Sequence, residues 1–349
     1  MKVIKINDRI IGQNQKCCIS FEPSATYTNF QEAKMMIKYV ADSGADAVKF
    51  QTFIPGDAER LMSKKDITID FTTKSGTKKE SVLEALKRRE LSKKDWEKLI
   101  KYAHKLKLIF ISTPVFVETI DFLKHAKVDI LKVSKGDVNN VLFVEHMAKT
   151  KLPIILDGRE KFEDVDKAIK ICEKARNKRI LILHCPSGYP AENAGVHLNT
   201  LKTISQKYKY PVGFADHSPG GIMNYAAVAL GASMLEKTIT VNKNIEHVEH
   251  FMSLELDDLK NFVINVRNIE DAMGDPNVYL KSRVDDTVRR AIVAKVNINK
   301  NEKIQKSMLD FQRPANLGIS CSEGFQVINK KASINISQGT FLQWKMLKK

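Results

Sequence analysis

The chain has 349 residues, 43% of them hydrophobic, enough to bury one full core and carry a small second module. No apolar stretch approaches the roughly 20 residues that cross a bilayer, and the opening MKVIKINDRIIG lacks the apolar region of a signal peptide, so neither a membrane span nor export is expected. A formal charge of +16 raises nucleic acid as a partner, but the lysines are spread out, with no dense tail, zinc knuckle or aromatic-interleaved motif; a solvated basic surface that also suits an anionic small substrate fits better.

Short apolar, β-branched runs alternate with longer helical patterns. CCISFE (17–22) precedes NFQEAKMMIKYVADSG, and AVKF (47–50) follows. Residues 55–91 then form a long excursion containing TIDFTTKSGTKKES, polar and turn-rich, which reads either as a loop over an active site or as a plain surface excursion. LIFIST (108–113) leads into VETIDFLKHA, DILKVS (129–134) into NVLFVEHMAK, and PIILD (153–157) into DVDKAIKICEKAR. ILILHC (180–185), VGFAD (212–216) with GIMNYAAVALGA, and SMLEKTIT (233–240) with ELDDLKNFVINVRNIEDAMG complete the series. Continuous hydrophobicity suits strands buried on both faces of a parallel sheet. Eight strand–helix units in residues 1–275 therefore fit an α/β fold of the (β/α)8 TIM-barrel type. A doubly wound sheet is the second option, weakened because no G-x-G-x-x-G follows the first strand. After Gly274 the pattern changes: residues 276–290 read as a polar linker and 291–349 as a compact, mostly β module, small enough to be marginal alone. Five cysteines (17, 18, 172, 185 and 321) form no C-x-x-C pair, which favours a reducing, cytoplasmic setting over a disulfide framework.

Reactive residues of such a barrel gather where strands meet the following loops. Those ends read Glu22, Lys49 with Gln51, Thr113, Lys132, Asp157, His184, Asp216 with His217, and Glu236. Polar residues at every strand end are difficult to explain by packing, since each needs its own buried partner. Lys49 and Lys132 suggest an anion held in the mouth; salt bridges to Glu22, Asp216 or Glu236 are the alternative. His217 is a candidate metal ligand, although a lone histidine is more often a hydrogen-bonded cleft residue.

The motifs ADAVKFQTF, FISTPVF, LKVSKGDVNN, LILHCPSGYPA, VGFADHSPGG, GASMLEKTIT and EHFMSLEL occur in an order that resembles the sialic acid synthase family. RRAIVAKVNINKNEKIQKSMLDFQRP looks like that family's antifreeze-like (SAF) domain. The resemblance implies condensation of phosphoenolpyruvate with an N-acylated hexosamine, such as N-acetylmannosamine or a related amino sugar, giving a nonulosonic acid and phosphate, with manganese or magnesium as the helping ion. It implies that Lys49 and Lys132, with Lys135, Thr113 and Ser187, hold phosphoenolpyruvate. Gln51, Tyr189 and Glu249 then contact the sugar, Glu22 orients it, and Glu236 lies near the reacting carbonyl. Arg313 matches the arginine that reaches into a neighbouring barrel, so a domain-swapped homodimer is implied.

Some positions depart from the family pattern. Of the two histidines that usually bind the ion, the first is His217 and the second is replaced by Thr238; His250 or Glu249 offers another donor, and no second ligand is assigned. Tyr27 stands where histidine is common. Serines that help bind phosphate in relatives appear as Lys135, Asp157–Gly158 and Ala215. Because the changes fall on the phosphate and metal sides, while Lys49, Gln51, Lys132, Tyr189, Glu236 and Arg313 persist, a divergent active enzyme is the reading. A non-catalytic sugar-binding or regulatory relative is the alternative.

Overall fold

The computed structural model describes residues 3–23, 25–158, 161–274 and 285–349. They divide into two compact units, residues 1–274 and 275–349.

In the first unit eight strands carry the fold: β1 (Cys18–Glu22), β2 (Ala47–Thr52), β3 (Ile109–Pro114), β4 (Ile130–Val133), β5 (Ile154–Asp157), β6 (Ile180–His184), β7 (Val212–Asp216) and β8 (Met234–Thr240). Each pairs in parallel with the next, and β8 pairs in parallel with β1, opposing Glu236 to Ser20 and Thr238 to Glu22. The sheet is closed, as a (β/α)8 barrel requires.

Side chains alternate across the pleat, and here both directions are buried. Val48, Phe50, Leu131, Leu156, Ile182, Phe214 and Leu235 point outward and join one core with the helical residues Met36, Ile37, Leu99, Ile100, Phe143, Val144 and Phe262. Those helices carry local start signals. Asn29 accepts from the Glu32 backbone N–H at 3.0 Å while the Glu32 carboxylate accepts from the Thr28 N–H at 2.7 Å, a reciprocal cap. Ser92 caps the helix Lys93–Lys105 through the Asp95 N–H.

The opposite parity faces the barrel axis. Cys18, Ala47, Ile109, Ile130, Ile155, Leu181 and Met234, near the strand starts, form a second apolar cluster with Ile4, Ile6 and Ile11. Those three isoleucines belong to an antiparallel hairpin, Ile4–Ile6 with Arg9–Ile11, which closes the N-terminal end of the barrel with hydrocarbon. At this level Gly213 has no room for a side chain: a Cβ would sit 2.5 Å from the Met234 carbonyl oxygen. Polar chemistry is left to the C-terminal mouth.

One sequence expectation becomes definite, and another lies largely beyond what is described. The excursion after β2 is ordered, with a helical turn Asp57–Leu61, an antiparallel hairpin Thr68–Thr73 with Gly76–Ser81, and a helix Val82–Lys87. Phe71 and Thr73 are buried while Thr68 and Asp70 are exposed, an alternation that compositional polarity concealed. The expected linker 276–290 falls largely outside the described residues, and its end, Asp285–Val288, forms a helical turn. In the second unit, Ala291–Ala294 pairs with Leu309–Gln312 and Lys331–Ala332 with Leu347–Lys348, both antiparallel, around a core of Ile292, Ile298, Ile304, Ile319, Val327 and Leu342.

Candidate active site

A cavity of about 330 Å³ opens at the C-terminal mouth of the barrel. Its wall is built by pleat parity. Counting outward from the apolar plug in steps of two, Ala47 leads to Lys49 and Gln51, Ile111 to Thr113, Ile130 to Lys132, Ile155 to Asp157, Leu183 to Cys185, Ala215 to His217, and Met234 to Glu236. All of the polar residues so reached line the cavity, with Glu22 from β1 and with Ser134, Lys135, Ser187, Tyr189 and Glu249 from the loops.

The same parity excludes two expected members. His184 and Asp216 lie one residue off register and do not line the cavity. His184 packs its ring against Phe214 and hydrogen-bonds through Nε2 to the Val196 carbonyl oxygen at 2.7 Å. Asp216 meets Lys237, fully buried, at 2.9 Å, and accepts from the Ser218 backbone N–H at 2.8 Å and from its hydroxyl at 2.7 Å. Lys237 also donates to the Ser218 carbonyl oxygen. Burial lowers the affinity of Lys237 for its proton, against the pull of Asp216. This knot pins the turn that presents His217.

At the cavity's floor four charges alternate. Lys49 pairs with Glu22 and lies 3.9 Å from Glu236, which pairs with Lys132. Both lysines are therefore in salt bridges, the second of the two expectations for them, and both also line one cavity. Burial alone would raise the Glu22 carboxyl, but Lys49 and Lys132 hold it well below the usual carboxylate range. Glu236 goes the other way: burial outweighs the two ammonium groups and Glu22 adds repulsion, so its carboxyl binds a proton more readily than normal. Its Oε2 has no hydrogen-bond partner among the described residues. Burial would strip Lys132 of its proton, but Glu236, Cys185, Glu22 and Asp157 hold it firmly charged. Thr113 Oγ1, buried in the wall, also has no partner among the described residues.

Above the floor the Tyr189 ring stacks on His217, with centroids 4.9 Å apart. Lys135 and Ser187 are exposed at the rim. Glu249 is buried, which raises its carboxyl against the pull of Arg89, 3.6 Å away. Arg89 also donates to Gln51 Oε1. Sequence reasoning missed Arg89, because RRE near a helix end reads as solvated charge. Tyr27, which stands where histidine is common in the family, is buried between Phe50 and Trp96, its hydroxyl donating to the Arg89 carbonyl oxygen at 2.7 Å. The excursion hairpin is clasped over this side. Glu80 accepts from the Val248 N–H at 3.0 Å and meets Arg88 at 2.5 Å and His247 at 2.7 Å, while Glu246 meets Ser75 and Lys78.

For a metal ion the wall offers His217. Thr238 is buried one pleat beyond Glu236 but is not in the lining, and His250 is turned to Thr240, with Nδ1 2.7 Å from its hydroxyl. Among the described residues no group of three His, Cys, Asp or Glu side chains converges as a metal shell; Glu22 and Glu236, which line the cavity with His217, are held by lysines. The donor set does not by itself fit an ion. Arg313 is an exposed residue of the second unit, after the strand Leu309–Gln312. No helix among the described residues is long and apolar enough to cross a membrane.

A closed parallel barrel whose mouth sets buried ammonium groups and carboxylates around one cavity is the framework of an enzyme acting on small polar molecules. Residues 36–278 match the NeuB family model and residues 289–348 the SAF domain model. The N,N'-diacetyllegionaminic acid synthase of Campylobacter jejuni is 34% identical over 318 residues, covering 89% of this chain and 94% of the relative. The enzyme of the same name from Legionella pneumophila is 31% identical, covering 95% of each. Among solved structures, N-acetylneuraminic acid synthetase from Leptospira borgpetersenii, in complex with citrate, matches with a TM-score of 0.72 at 27% identity, over 81% of this chain and 94% of that one. The chain belongs to the NeuB family and is a transferase of the sialic acid synthase type.

Proposed function

We propose that the enzyme condenses phosphoenolpyruvate with an N-acylated hexosamine to give a nonulosonic acid and phosphate. The observation that carries this reading is the pair Lys49 and Lys132 on one cavity floor with Glu236 between them. Two fixed ammonium groups suit the carboxylate and phosphate of a small dianionic acid, and Lys135 and Ser187 extend the polar wall at the rim. Thr113 adds a buried hydroxyl to the same wall. Gln51, near the end of β2, takes the sugar together with Tyr189 and Glu249 from the loops, and Glu22 orients it.

The reaction needs a proton donor and acceptor at one place. The enol carbon attacks the sugar aldehyde, forming a carbon–carbon bond, and the aldehyde oxygen takes a proton. Glu236, whose carboxyl holds a proton more readily than normal, supplies it. The cationic carbon left behind is captured by water, Glu236 takes back a proton, and phosphate leaves with cleavage of its carbon–oxygen bond. The ammonium groups stabilise negative charge on the departing phosphate. His217 is the side chain offered to manganese or magnesium. Arg313 completes the site from the SAF domain of a second copy in a homodimer, and the setting is cytoplasmic.

The test is phosphate release on mixing the full chain, manganese, phosphoenolpyruvate and a panel of N-acyl hexosamines. Release with at least one sugar is expected. Sugar binding without release from any of them would instead favour a non-catalytic relative.

A further inference from the structure

Magnesium asks for roughly six oxygen donors in a near-ideal octahedron, one or two of them carboxylates, and manganese favours the same donor types. His217 faces the cavity with its ring stacked on Tyr189, so the oxygens have to come from the carboxylates of the same wall. Among the described residues these are Glu22, Asp157, Glu236 and Glu249, and cations already engage them. Glu22 pairs with Lys49 and Glu236 with Lys132, Glu249 faces Arg89 at 3.6 Å, and Asp157 adds its charge to those that keep Lys132 protonated. An ion recruiting Glu22 or Glu236 has to displace an ammonium group and then stand beside it. The Lys49 and Lys132 side chains, 3% and 7% exposed, are too buried to retreat into solvent, and repulsion in so dry a space is poorly screened.

The remaining donors fall short. Thr238 lies outside the lining, and its buried hydroxyl has no hydrogen-bond partner among the described residues; a single neutral hydroxyl is met by water as well as by an ion. His250 is turned to Thr240. Cys185 offers a thiol, too soft a donor for either ion.

The floor holds another means of making an aldehyde electrophilic. Glu236 Oε2 is the open atom of a carboxyl set between two ammonium groups, its other oxygen pairing with Lys132 and lying 3.9 Å from Lys49. Fixed donors in a water-poor site stabilise developing negative charge by themselves.

We propose that this chain carries out the condensation without a bound divalent ion, Glu236 with Lys49 and Lys132 taking the polarising role. The Glu236 carboxyl O–H donates to the aldehyde oxygen and draws the carbonyl electrons toward it. As the enol carbon bonds to the aldehyde carbon, the carbonyl π pair takes that proton and becomes the new O–H bond. No alkoxide is left for a metal to hold. The inference rests on the condensing-enzyme reading above and goes past it in setting aside the ion to which His217 is offered.

The test uses the full-length protein freed of metal by dialysis against a chelator. Electron paramagnetic resonance follows free manganese as protein is added, and phosphate release from phosphoenolpyruvate and the sugar panel is measured in excess EDTA and in excess manganese. The protein takes up no stoichiometric manganese, and turnover in EDTA stays within about twofold of that in manganese. Glu236→Gln, which keeps the shape but not the proton, loses at least a hundredfold in turnover in both conditions while its melt remains cooperative. Stoichiometric manganese binding, turnover lost in EDTA and restored by manganese, or rescue of Glu236→Gln by manganese overturns the proposal. No manganese binding together with no phosphate release in either condition keeps the ion-free wall and overturns the condensation reading instead.

Discussion

Replacing Lys132 with methionine probes the floor of the site most directly. The residue is 6% exposed, and methionine fills nearly the same volume, so packing is conserved while one ammonium group is lost. A charge-assisted contact to a bound anion contributes about 1.5–3 kcal/mol, and Lys132 lies where more than one such contact can form. The affinity for phosphoenolpyruvate should fall by about 2–4 kcal/mol, roughly 100-fold at mid-range. The variant also leaves Glu236 buried with only Lys49, 3.9 Å away. Breaking a buried pair costs about 3–5 kcal/mol when the remaining charge has no other partner; Lys49 moderates that cost here. The pH dependence has a fixed sign. Glu236 already binds its proton more readily when folded, and Lys132→Met pushes it further, above the unfolded value of about 4.3. The folded variant then holds the extra proton, so its stability falls as pH rises from about 4.3 through the raised folded value. Relative to the parent, its Tm should recover on going from pH 7 to pH 5, and Glu236→Gln in the same chain should restore stability at pH 7. Calorimetric titration with phosphoenolpyruvate and thermal melts at the two pH values are the assays. Unchanged affinity, together with a Tm difference indifferent to pH, would refute the reasoning.

Other predictions follow from single residues. Arg313→Ala should lower turnover at least tenfold while the barrel melts normally, since the residue belongs to a separate unit; equal turnover removes its role at the site. Thr238→His should tighten manganese binding at least tenfold in a calorimetric titration, because imidazole is a far better donor than a hydroxyl; no gain would show that β8 does not face the ion. His250 is buried, and desolvation, helped by His247 and Arg88, lowers its pKa to about 4. The unfolded chain, near 6.5, therefore binds the extra proton between those values, and up to about 3 kcal/mol of stability is lost as pH falls from 6.5 to 4. His250→Gln should flatten that slope in urea melts; an unaltered slope assigns the acid sensitivity elsewhere.

How far the sequence could be read depended on what local pattern records. Lys49 and Gln51 between Val48, Phe50 and the following turn, or Lys132 between Leu131 and Val133, mark strands whose polar residues share one face. His184 and Asp216 look equally reactive at the level of motif. One residue of pleat sends them to the helices, where a carbonyl and a buried lysine satisfy them. The hairpin at 68–81 was legible in principle from its alternation, but threonine and lysine content hid it. Arg89 had no signal at all, because its pairing with Gln51 and Glu249 spans 38 and 160 positions of chain.

The sequence by itself determined the succession of strands and helices, the C-terminal change of pattern and most residues of the cavity wall, because period-two and helical periodicities are local and each strand end follows directly from its strand. Tertiary structure alone decided which carboxylate neutralises which lysine, that the N-terminal hairpin closes one end of the barrel, and that an arginine held by Tyr27 meets Gln51 and Glu249. Those outcomes depend on barrel closure, which brings β8 beside β1 and sets distant charges within a few ångströms in a space too dry to screen them.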